Sequence, residues 1–98
     1  MSEAKKIARA LLTERLAACV NIVPKIDSHY WWKGKIQSDS EVLLLIKTTR
    51  ARLSALTRRI QALHSYDVPE VLALPAVGGS KAYLQWIHTS TSAVISDR

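Results

Sequence analysis

The chain has 98 residues, 48% apolar and 22% charged, with a formal net charge of +6. Those proportions describe one folded domain near the small end of what builds its own core, and they exclude a disordered chain. A single cysteine excludes an internal disulfide and fits a reducing compartment, and no apolar run nears the roughly 20 residues of a membrane span.

In chain order, Met-Ser-Glu-Ala-Lys-Lys opens directly into a charged amphipathic pattern with no secretory h-region. The expected location is therefore cytoplasmic, with an organelle-targeting extension upstream of residue 1 left open. Ala4, Ile7, Ala8, Leu11, Leu12 and Leu16 recur at helical spacing and predict a helix over 3–17. Ser2 is its expected N-cap, and Glu3 lies in the first turn, where a carboxylate suits the helix dipole. Cys19 to Val23 reads as a strand, Pro24 as an irregularity, and Ile26 to Trp32 as the strand resumed. Lys33-Gly34 makes the hairpin turn, because glycine accepts the positive φ that tight turns need. The returning strand runs from about Ile36 to Thr48, with an interruption expected at Ser38-Asp39-Ser40. Its five consecutive apolar residues, Val42 to Ile46, need cover on both faces, which a chain of this size can hardly supply alone.

Thr48 or Thr49 caps a second helix over 50–63, with its stripe at Leu53, Leu56, Ile60 and Leu63. Ser65-Tyr66-Asp67 connects it to a strand over Val68–Leu74, which Pro75 ends. Gly78-Gly79 is a loop, Ser80 caps a helix over 81–89, and the tail over 90–98 is weakly patterned. The order α-β-β-α-β-α is one leading strand short of the split βαβ arrangement, so the fold class is α+β.

Few residues declare chemistry. There is no nucleophile elbow, no phosphate loop and no paired-carboxylate site, so an enzyme is not expected. The three histidines, His29, His64 and His88, lack zinc-site spacing. His64 follows the second helix, where it serves either the helix dipole or, with donors from other segments or subunits, a metal ion. Cys19 reads as a small buried hydrophobe. Arg52, Arg58 and Arg59 occupy the polar surface of the second helix and read as solvated, so no nucleic-acid partner is expected beyond weak, salt-sensitive contact. Trp31 and Trp32 point to opposite sides of the hairpin, as does any neighbouring pair on a strand, and packing at a subunit interface best accounts for them. Lys47, after the apolar run, is the lysine expected to be partly enclosed.

Four blocks in order resemble the CutA family of divalent-cation tolerance proteins: Glu14 to Pro24, Ser28 to Ile36, Asp39 to Thr48 and His64 to Pro75. A shorter fifth, Tyr83-Leu84-Gln85-Trp86, supports them. The resemblance implies a single ferredoxin-like split βαβ domain over 1–98, assembled into a homotrimer through sheet edges and the long hairpin. It implies a non-enzymatic, PII-like regulatory role in copper or other divalent-cation tolerance. The alternative is a trimeric protein-interaction scaffold with incidental metal binding; vertebrate relatives are associated with membrane-anchored acetylcholinesterase. The family's first strand precedes the first helix, and this chain is expected to lack it, making it N-terminally shortened relative to the family. By the same resemblance, bacterial copper ligands include a cysteine on that strand and two adjacent histidines closing the second helix. Here the pair is reduced to Leu63-His64, leaving His64 as the metal candidate and any copper contact weak. The implied intersubunit pocket is lined by Tyr30, Trp32, Lys47, Tyr66 and Glu70.

Overall fold

A computed structural model describes residues 1–66 and 69–92. Three helices and one two-stranded antiparallel sheet follow in the order α1 (Ser2–Thr13), β1 (Cys19–Trp32), β2 (Lys35–Lys47), α2 (Arg50–Leu63) and α3 (Lys81–Ser90). The core forms where α1 and α2 meet over one face of the hairpin's base: Ile7, Leu11, Leu16, Ala17, Leu56 and Ile60 are buried, with Val20, Leu44 and Ile46 packed against them. Leu11 is fully buried, and truncating such a leucine to alanine typically costs about 2–5 kcal/mol.

α1 stops at Thr13, four residues before the expected end. Arg15 adopts φ 60°, the Leu16 amide donates to the Leu11 carbonyl at 2.9 Å, and the Arg15 amide donates to Leu12 at 3.1 Å. This is a Schellman closure, in which a left-handed residue turns the chain and a C″ side chain packs back on C3. Leu11 and Leu16 are that apolar pair. The helical spacing of Leu16 therefore marks a closing contact and not a further turn. At the other end Met1 is the N-cap and Ser2 the first helical residue, one position from the expected cap.

The hairpin is as expected at its turn and longer in its body. Lys33 (φ 51°) and Gly34 (φ 78°) are both left-handed, the requirement of the two-residue turn whose twist matches its strands. Pro24 does not break β1. The register slips between Val23 and Ile26, so that Pro24 and Lys25 together face Val42, and this bulge absorbs a residue without an N–H. The interruption expected at Ser38-Asp39-Ser40 does not occur, because all three residues pair with β1, opposite His29, Ser28 and Asp27.

One expected strand is absent. Residues 69–74 have no regular structure, although Val71 packs against the core; Val68 lies outside the described residues. A strand exists only by pairing, and among the described residues no ladder partner reaches this segment, so its apolar composition is not enough. Leu72 and Leu74 are left 76% and 83% exposed.

α3 is set as expected: the Ser80 side chain accepts from the Tyr83 amide at 3.2 Å. None of its own residues is buried. Its far end is held instead by two arginines, since Arg15 donates to the Ser90 carbonyl at 3.3 Å and Arg52 to the Thr91 carbonyl at 2.8 Å. Cations at a helix C-terminus satisfy orphan carbonyls and the dipole together. Arg59 pairs with Glu14 through both carboxylate oxygens at 3.0 Å, and Arg58 donates to Ser54. The arginine surface of α2 is thus largely engaged within the chain. Of the expected tail, Ser90 closes α3 and Thr91 is buried, while residues 93–98 lie outside the described residues.

The turn gives a direct test. A Cβ at Gly34 meets nothing within 4 Å, so Gly34→Ala isolates the backbone cost of left-handed φ. It is expected to lower unfolding free energy by about 1 kcal/mol in denaturant titration, with no change of fold by circular dichroism.

Candidate functional site

The most chemically varied region lies where the start of α1, the end of α2 and the middle of β2 converge. A cavity of about 190 Å³ there is walled by Ala4, Ile7, Val42 and Leu44 and rimmed by Glu3, Ser40, Glu41, His64 and Tyr66. The Glu3 carboxylate accepts from the Ser65 amide at 2.8 Å and from the Ser65 hydroxyl at 3.3 Å. These two bonds hold the Glu3 carboxyl below its ordinary value of 4.5. The contact fastens the exit of α2 to the first turn of α1. It is fully present at neutral pH and lost as acidification protonates Glu3.

His64 sits immediately after α2. Its Nδ1 accepts the Tyr66 amide at 3.0 Å, and the two rings lie 4.7 Å apart, tilted by 57°. A neutral imidazole that accepts at Nδ1 carries its proton on Nε2, so neither nitrogen offers a free lone pair to a cation. Among the described residues, no group of three or more His, Cys, Asp or Glu side chains could hold a metal ion. The described residues of one chain therefore do not fit a resident divalent cation.

Three residues expected at the pocket, Tyr30, Trp32 and Lys47, fall on the hairpin. Strand alternation, shifted once by the bulge, places all three on the face that also carries Leu43 and Leu45, opposite the helices. They are not close together. Trp32 pairs with Lys35, and Lys47 lies twelve residues farther along β2, which is about 40 Å at strand spacing. Lys47 is half-buried and donates to Asn21, while Trp32 is 51% exposed near the tip with the Lys33 ammonium 5.8 Å from its ring. Tyr66 lies on the cavity rim beside His64, and Glu70 is exposed on the irregular segment that follows. Cys19 is half-buried beside Asn21, 3.7 Å from its side-chain oxygen.

Glu3, Ser40, Glu41 and Asp39 also belong to this region, and motif reading missed them. Asp39 was recoverable, because a two-residue turn at Lys33-Gly34 places it diagonally opposite Tyr30, within reach of a long side chain. The Tyr30 hydroxyl donates to that carboxylate. The bond to Asp39, with some desolvation and the negative charges of Asp39 and Glu41, raises the Tyr30 phenol to about 12. Glu3 and Glu41 had no sequence signal, since only the tertiary approach of α1, α2 and β2 brings them together.

The chain matches the family described as CutA1 divalent ion tolerance protein over residues 1–90. It is 56% identical over 87 residues to the chloroplastic protein CutA 1 of Oryza sativa subsp. japonica, covering 89% of this chain and 49% of that protein. It is 51% identical over 88 residues to the divalent-cation tolerance protein CutA of Thermus thermophilus, covering 90% of this chain and 85% of that one. The crystal structure of CutA1 from Oryza sativa superposes with a TM-score of 0.91 at 52% identity, covering 96% of this chain and 86% of the other. The chain thus spans about half the length of the plant and mammalian relatives it matches.

The Tyr30–Asp39 bond has a measurable signature. A phenol whose folded value lies above the ordinary 10 stabilises the fold fully below pH 10, and that contribution disappears as pH rises through about 12. An ultraviolet titration of the three tyrosines is expected to show one ionising near 12, and Asp39→Asn to return it towards 10.

Proposed function

The chain belongs to the CutA1 divalent ion tolerance family, and on that premise we propose that it is a homotrimeric, ferredoxin-like regulatory protein of divalent-cation tolerance, PII-like and non-enzymatic. The observation that carries this reading is the outer face of the hairpin. Leu43 and Leu45 are 38% and 48% exposed there, although they belong to a strand apolar on both sides. On the opposite face, near the tip and beyond the helices, Trp31 and Ile36 are 72% and 67% exposed as well. Surfaces of this kind, contiguous along one element, are covered by a partner in stable proteins. Residues about 40 Å apart on one hairpin line a common cleft only when adjacent subunits bring opposite ends together.

In the trimer, Tyr30, Trp32, Lys47, Tyr66 and Glu70 line the intersubunit pocket, with Lys47 offering charge to an anion and Glu70 a carboxylate to a cation or to Lys47. Copper or another divalent cation is met weakly and transiently, because among the described residues no group of three or more His, Cys, Asp or Glu side chains comes together to hold it. The exposed aromatic pair Tyr83–Trp86 on α3, ring centres 5.5 Å apart, favours a second reading as a scaffold for another protein. Capture of a partner that survives chelators would distinguish it from the cation reading. Relatives from plants are named chloroplastic; we assign this chain to the cytoplasm.

Light scattering on the purified chain is expected to give the mass of three copies, and Leu45→Lys, on an exposed position, to shift it to smaller species. A monomeric mass for the unmodified chain would refute the assembly. In copper titrations, His64→Ala is expected to weaken binding only a few-fold, as suits one monodentate contact. Unchanged affinity would remove His64 from the cation site.

A further inference from the structure

Positive charge is not spread evenly over the molecule. α1 and α2 hold seven of the fourteen lysines and arginines and one of the eight carboxylates, so the helical layer is strongly basic. The hairpin beneath it is nearly balanced, with four basic and three acidic residues between Cys19 and Lys47. Within the helical layer, an open groove of about 390 Å³ lies between the turn that ends α1 and one side of α2. Its floor is apolar and built of short side chains: Ala55 is half-buried, Ala62 is exposed and Leu16 is buried. Two adjacent arginines and Glu14 complete the lining. Glu14 takes Arg59 in a two-pronged pair, with Nε 3.0 Å from both oxygens and a terminal nitrogen 2.9 Å from one of them. Arg58 donates to the neutral Ser54 hydroxyl at 3.0 Å, and among the described residues no carboxylate pairs with it. One guanidinium of this groove is therefore matched by an acid, and its neighbour is not.

We propose that the groove receives a short acidic segment of a partner protein, in which a glutamate or aspartate stands beside a leucine-sized apolar side chain. The carboxylate takes the planar donors of Arg58, as Glu14 already takes those of Arg59. The apolar side chain covers Ala55 and Ala62, whose methyl groups leave the space above them open. The basic helical layer around the groove steers an acidic partner towards it. Glu14 acts as a competitor within the chain: it occupies one of two guanidiniums, and its charge weakens the attraction for an incoming acid. The Glu14–Arg59 pair is exposed enough to be weakly held, so a ligand can displace it. A nucleic acid suits the groove less well, because Glu14 breaks the run of positive charge that successive phosphates require. The groove and the exposed Leu43 and Leu45 lie on opposite sides of the hairpin, so binding here is independent of assembly there.

Fluorescence anisotropy and amide chemical shifts on the full chain test the groove. The probe is a labelled decapeptide with two leucine–glutamate pairs separated by alanines; its control carries glutamine for glutamate, and a single-stranded oligonucleotide is the third arm. At low salt the glutamate peptide is expected to bind about fivefold more tightly than its control and to shift amides of residues 14–16 and 54–62. Arg58→Ala, at an exposed position, is expected to weaken the glutamate peptide by about fivefold. Glu14→Gln is expected to act in the opposite sense and tighten it a few-fold, because Arg59 is released and the competing charge removed. A merely structural role for the Glu14–Arg59 pair predicts the reverse. Equal affinity for the two peptides, no change with Arg58→Ala, or weaker binding with Glu14→Gln would overturn the proposal. So would an oligonucleotide that shifts the same amides and binds more tightly than the peptide, since the helical layer would then be a nucleic-acid surface.

Discussion

The apolar run of β2 sets the terms for the rest of the molecule. Five side chains that alternate between two faces cannot all be buried by one layer of helices, and α1 and α2 cover only one side. Leu44 and Ile46 join the core with Leu11, Leu56 and Ile60, while Leu43 and Leu45 remain exposed. The helices are placed to serve this one face. The Thr48 hydroxyl donates to the Leu16 carbonyl at 2.7 Å, tying the exit of β2 to the turn that ends α1. The core is consequently small and lies at one end of a molecule 51 Å long. The hairpin beyond it carries no core of its own, and two strands without a covered face are marginal in water.

What could be read from the residues follows the range of the interactions that decide each element. The turn at Lys33-Gly34, the Ser80 cap and the stripe of α2 depend on neighbours within about four positions, and the chain forms them as read. The end of α1 depends on a contact between Leu11 and Leu16 that mimics helical spacing while ending the helix, so periodicity alone overran it. Segment 69–74 depends on a partner strand, and its composition says nothing about whether that partner is present. The arginines of α2 were legible as a polar surface. Their engagement with Glu14, Ser54 and the carbonyl of Thr91 was not, because those groups come from other parts of the chain or from the next turn.

The candidate site divides along the same line. His64 and Tyr66 were identified by motif, and they do lie together. Glu3 and Glu41 came from elements whose approach is tertiary. The consequence for chemistry is larger than two added residues. A histidine judged by sequence is a free donor, whereas this one spends Nδ1 on the Tyr66 amide and keeps its proton on Nε2. Its first role is to fix the two residues after α2, and Glu3 fixes Ser65 beside it. Any cation that meets His64 competes with an existing hydrogen bond, a cost of about 1 kcal/mol that a preformed site would not carry.

The uncovered outer face of the hairpin has a thermodynamic consequence. Leu43 and Leu45 lie exposed there on a strand whose other face is packed on the core. A subunit that covers them and binds the folded chain alone stabilises it by mass action. Stability is therefore coupled to occupancy, and the coupling should be strongest where the core is thinnest. That place is the junction of β2 with the start of α1, where the cavity and the Glu3–Ser65 contact coincide. An event there reaches the helices through Ala4 and Ile7 and the outer face through Leu43 and Leu45. It needs no path longer than the width of one strand.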